Sequence, residues 1–72
     1  MAQYKLSAAI TKDGNWYVAR CLELAVTSQG KTVARAKANL EEAVLLYIES
    51  FGTEDLPKEI EEPILTPLEI NV

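Results

Sequence analysis

Cys21 is the one thiol in a chain of 72 residues that contains no histidine. A cysteine nucleophile needs a base or a positive neighbour to hold it as thiolate. The nearest charge is Arg20, and in an extended segment adjacent side chains point to opposite faces. Cys21 therefore reads as an inert strand cysteine. Without histidine, acid and base work near neutral pH falls to carboxylates, lysines and tyrosines. Asp13 lies in the turn-forming stretch Lys12-Asp13-Gly14-Asn15, where local hydrogen bonding explains an aspartate, and Asp55 lies in an acid-rich connection. Neither has a carboxylate partner placed for acid–base or two-metal chemistry. One cysteine and no histidine also exclude an intramolecular disulfide and a zinc site. No catalytic, cofactor-binding or metal-ligating residue is assigned, and an enzymatic function ranks behind binding functions.

The stretch from Ala25 to Thr32 comes nearest to a chemical motif, because Gly30-Lys31-Thr32 copies the end of the phosphate-cradling pattern G-x-x-x-x-G-K-S/T. The first glycine is replaced by Ala25, whose side chain obstructs the backbone that would converge on a phosphate. Gly30 as a turn and Thr32 as a helix cap account for the same residues.

The elements that place these side chains follow from periodicity. Tyr4, Leu6, Ala8 and Ile10 alternate with Lys5, Ser7 and Ala9, the period-two pattern of a half-buried strand. Asp13-Gly14 supplies a tight hairpin, and Trp16 to Cys21 resumes a β-rich run. Val26 and Thr27, both β-branched, predict a third strand from Ala25 to Ser28 that ends at Gly30. Thr32 then caps a helix whose apolar stripe runs through Val33, Ala36, Leu40, Ala43, Val44, Tyr47, Ile48 and Phe51, with Gly52 as its stop. After Pro57 and Pro63, Leu68, Ile70 and Val72 alternate with Glu69 and Asn71 as a last strand. The expectation is a single α+β domain, β-β-β-α-β in two layers, with one mainly antiparallel sheet and a helix on one face. Its core spans residues 3–52, an acidic connection 53–63 and a C-terminal strand 64–72.

Helical projection leaves Ala34, Ala38, Leu45 and Leu46 off the stripe. Small residues followed by leucine along one flank let another surface approach closely, so these four form a candidate oligomer or partner surface. A chain of this size without disulfide or metal gains from shared burial, and a homo-oligomer, dimer or tetramer, is expected.

Charge is unevenly spread. Residues 1–52 carry six Lys or Arg against five Asp or Glu, whereas residues 53–72 carry one Lys against six acids. The net charge of −4 disfavours binding to a phosphate backbone. Glu59, Glu61 and Glu62 either face a basic protein partner or keep a loop solvated. No apolar run approaches the length of a membrane span, and the first residues lack a secretory pattern, so a cytoplasmic location is expected.

The run from Gly14-Asn15-Trp16-Tyr17-Val18-Ala19-Arg20 through Ser28-Gln29-Gly30-Lys31-Thr32 to Ala36 and Asn39-Leu40-Glu41-Glu42-Ala43 resembles the HicB-like antitoxin family across residues 4–51. Gly14, Trp16, Gly30, Thr32 and Leu40 carry the motif. The resemblance implies a truncated ribonuclease H-like fold without nuclease activity and a role in neutralising a small basic toxin that cleaves messenger RNA. It departs at Leu22-Glu23-Leu24-Ala25, where many members have Pro and Gly. Residues 53–72 also fit none of the DNA-binding segments of full-length members. The resulting expectation is a non-enzymatic, type II antitoxin-like protein-binding module without cofactor. The alternative is a small-molecule-binding or regulatory domain.

Overall fold

The computed structural model describes residues 4–54, 56 and 63–72. Three strands, β1 (Ala8–Asp13), β2 (Trp16–Cys21) and β3 (Thr27–Gly30), precede one helix, α1 (Val33–Phe51). The sheet is antiparallel with order β1-β2-β3, so β2 is central, and among the described residues no further strand pairs with β1 or β3.

The β1–β2 hairpin closes where Asp13 pairs with Trp16, leaving Gly14 and Asn15 as its two-residue loop. Only glycines adopt positive φ among the described residues, and Gly14 does so at 61°. A glycine at the first loop position is the type II′ requirement, which matches the right-handed twist of the flanking strands. Asp13 is thus a paired strand residue rather than part of the turn.

Register sorts the side chains. Ala8 and Ile10 lie opposite Cys21 and Ala19, and Ser28 lies opposite Ala19, so these share the helix-facing side. Ala9, Thr11, Val18, Arg20 and Gln29 share the other side. Against the first side α1 lays Ala36 and Leu40, both buried, followed by half-buried Ala43, Val44, Tyr47 and Ile48. The buried core is Ala19, Cys21, Leu24, Ala36, Leu40 and Leu56.

α1 starts where the local chemistry predicts. The Thr32 hydroxyl accepts the Arg35 amide at 3.0 Å, satisfying one of the unpaired donors of the first turn. At the other end Gly52, with φ 80°, donates its amide to the Ile48 carbonyl at 2.7 Å. The ends of the helical stripe are more open than expected, because Val33 and Phe51 are exposed.

Three strand expectations need correction. β3 starts at Thr27 rather than Ala25, because its pairing with β2 begins at Thr27 opposite Arg20. Regular pairing of β1 starts at Ala8, not Tyr4, because β2 ends at Cys21, the partner of Ala8; beyond it the Leu22 amide still reaches the Ser7 carbonyl, but the ladder goes no further. Leu6 nevertheless packs on the core, which explains the alternation. The expected strand over 64–72 is not formed: residues 63–72 pair with no strand and all are exposed. Ile64, Leu68 and Ile70 are 90%, 81% and 74% exposed. The Cα radius of gyration is 13.8 Å, whereas a compact chain of this length has about 11 Å. The tail runs away from the body.

Candidate functional site

Gly30 is the point on which the helix is set. It is buried at the end of β3, and a Cβ placed there would lie 2.5 Å from the Ala36 nitrogen and 2.8 Å from the Arg35 carbonyl carbon. The first turn of α1 rests on a strand with no side chain between them. The turn role read for Gly30 is therefore replaced by close backbone approach, and its φ is not positive. Asn39, one turn beyond Ala36, donates its side-chain amide to the Gln29 carbonyl at 2.8 Å and ties the helix to β3 a second time. Lys31 sits with its ammonium 5.4 Å from the centre of the Trp16 ring, joining the hairpin to the strand–helix connection. The motif residues Gly14, Trp16, Gly30, Thr32 and Leu40 are thus scaffold. They also explain Gly30-Lys31-Thr32 without a nucleotide.

These anchors pull α1 to one side. It packs chiefly on β3, less on β2 and least on β1. Where the chain leads into β1 an open groove of about 450 Å³ remains, lined by Tyr4, Leu6 and Ala8, by Cys21 of β2, and by Leu40, Val44 and Ile48 of α1. Lys5, Ser7, Lys37 and Glu41 supply its polar groups, and Leu45 stands at its rim. A second groove of about 460 Å³ lies beside Lys5, Leu6, Ser7, Ala8 and Leu22, where Pro63 and Leu65 begin the tail.

The candidate flank divides in two. Ala34, Ala38, Leu45 and Leu46 are all exposed, as projection predicts, with Leu45 at 55% and Leu46 at 57%. Of these, Leu45 belongs to the groove. Glu59, Glu61 and Glu62 lie outside the described residues. Among the described residues no group of three or more His, Cys, Asp or Glu could hold a metal, and no helix is long and apolar enough to cross a membrane.

Glu23 was not singled out by sequence, yet it fastens the groove's floor. Its carboxylate accepts the Ser7 amide at 2.7 Å and the Cys21 thiol at 3.6 Å, while the Leu22 amide donates to the Ser7 carbonyl at 2.9 Å. Its spacing of two from Cys21 was the available signal, since in extended chain that places both on one side. Desolvation opposes ionisation of Glu23, but hydrogen bonds from Ser7, its own amide and the Cys21 thiol outweigh it and hold the carboxyl below its ordinary range. A lowered folded-state pKa means stability that is complete above the unfolded value and lost as pH falls through the folded one. Glu23→Gln should accordingly lower stability by about 1 kcal/mol at pH 7. In urea titrations the gap between variant and parent should narrow below pH ~4.3, the ordinary glutamate value; a gap independent of pH would remove the charge from this account.

Comparison with models of protein families, with curated proteins and with solved structures finds no match to this chain.

Proposed function

We propose that the chain is a non-enzymatic protein-binding module that neutralises a small basic mRNA-cleaving toxin in the manner of a type II antitoxin. The observation that supports this most is the amount of large apolar surface the fold leaves in the open. Trp16 stands exposed on the sheet side away from the helix, and Leu45, Leu46 and Phe51 stand exposed on α1. Large apolar side chains left exposed on a small domain supply the anchors that protein contact surfaces use. The acid-rich residues 53–72 steer a basic partner toward them. On this reading the three antiparallel strands and helix are a truncated ribonuclease H-like unit, and the protein is cytoplasmic.

A small-molecule-binding domain is the second reading, and the groove at the start of β1 is the observation that favours it. Its lining is mostly apolar and its mouth open, so few polar groups converge to orient a small ligand.

The test is titration of the purified full chain into an RNA-cleavage reaction run by a small basic toxin. Stoichiometric loss of cleavage, weakened by added salt, is the expected result.

A further inference from the structure

The groove at the start of β1 and the tail are complementary defects of one molecule. The groove is an apolar trough beside an unpaired strand edge, and the tail is a nine-residue stretch, 64–72, of apolar side chains without cover. We propose that the occupant of the groove is the tail of a second copy of this chain, exchanged reciprocally, with Leu68, Ile70 and Val72 facing α1 and the backbone added alongside residues 4–8, at the open edge where β1 begins.

Three observations lead there. Among the described residues β1 has β2 on one side and no strand on the other, so its outer edge is a template for an added strand. The tail's alternation of Leu68, Ile70 and Val72 with Glu69 and Asn71 matches what such a position demands, one face against the helix and one toward water. Pro67 lacks the amide that a ladder needs and stands just before this alternation, where a strand can begin.

The chain's own tail is the competing occupant: it starts beside residues 5–8, which the two grooves share, but the lining of the first groove includes none of residues 63–72. Pro63 and Leu65 line the second groove, beside Lys5 to Ala8 and Leu22, and from there the chain leaves the body, with Leu68 and Ile70 mostly in solvent. The molecule reaches 46 Å in its longest dimension against 27 Å and 17 Å in the others. An extended segment of nine residues covers about 30 Å. This assembly shares Leu45 and the tail with the toxin-binding reading, and sedimentation of the chain alone tests it separately from that reading.

The experiment uses full-length chains in analytical ultracentrifugation, with far-ultraviolet circular dichroism to establish folding. The parent should sediment as a concentration-dependent dimer. Two variants each disable one half of the exchange at an exposed position: the pair Leu68→Asp and Ile70→Asp in the tail, and Leu45→Asp at the groove. Each alone should be a folded monomer, its dissociation constant raised at least a hundredfold. Mixed in equal amounts, they should recover dimer, because the intact tail of the groove variant meets the intact groove of the tail variant. A parent that stays monomeric at all concentrations overturns the proposal. So does a tail variant that dimerises as the parent does, and so does a mixture of the two folded variants that remains monomeric.

Discussion

Gly30→Ala should unfold most of the population or lower the melting temperature by more than about 10 °C. The added methyl meets the Ala36 nitrogen at 2.5 Å and the Arg35 carbonyl carbon at 2.8 Å. These are backbone atoms of the first helical turn, so no rotamer change relieves the clash and α1 must lift from the sheet. Overpacking of this kind costs about 3 kcal/mol, and in a domain of this size each kcal/mol shifts the midpoint by roughly 4–8 °C. Lifting α1 also strains the Asn39 to Gln29 bond and uncovers Ala36. Gly14→Ala is the matched comparison. No atom lies within 4 Å of its added methyl, and only the positive φ of 61° opposes it, so a loss of about 1 kcal/mol is expected. A Gly30→Ala protein that melts within a few degrees of the parent would show that the helix is not seated on this glycine.

Leu40→Ala should cost about 3 kcal/mol. Leu40 is 5% exposed and is the largest side chain that α1 buries. Deleting its isobutyl group loses the transfer energy of the removed atoms and leaves a void between helix and sheet. Its neighbours Ala19 and Ala36 are too small to fill that space. The domain has little to spare, because the six hydrophobic residues buried among the described ones include two alanines and a cysteine. Leu46→Ala, at a position 57% exposed, should stay within about 0.5 kcal/mol of the parent. Equal losses for the two leucines in chemical denaturation would mean that the helix presents a different face to the sheet.

What could be read from the sequence was local. The Thr32 cap, the period of α1 from Val33 to Phe51 and the extent of β2 from Trp16 to Cys21 are set by residues a few positions apart, and the structure agrees with them. The errors share a physical origin in partners that sequence does not display. Tyr4 and Leu6 alternate as a strand does, but β2 gives them nothing to pair with. Leu68, Ile70 and Val72 alternate with equal regularity, and alternation states which side chains want cover without stating where cover comes from. Gly30 was legible as a needed glycine, yet its reason lies in Arg35 and Ala36, which only the folded chain brings above it. The flank of Ala34, Ala38, Leu45 and Leu46 was legible as exposed. That Leu45 alone stands over the groove depends on α1 lying off-centre toward β3. Glu23 escaped notice because its bond to the Ser7 amide spans sixteen residues.

RNA cleavage by a purified small basic toxin, followed while the full chain is titrated in, is the measurement that bears most directly on the proposed function. Cleavage should fall in proportion to the chain added and stop at a fixed molar ratio, with the chain alone leaving the RNA intact. Raising the salt should weaken the inhibition, because an acidic tail and a basic partner attract less when screened. A replacement of Leu46 and Phe51 by aspartate should raise the concentration needed for half inhibition at least tenfold while the fold is retained, since both side chains stand in the open. Cleavage that continues at an unchanged rate in several-fold excess of the chain would contradict the account.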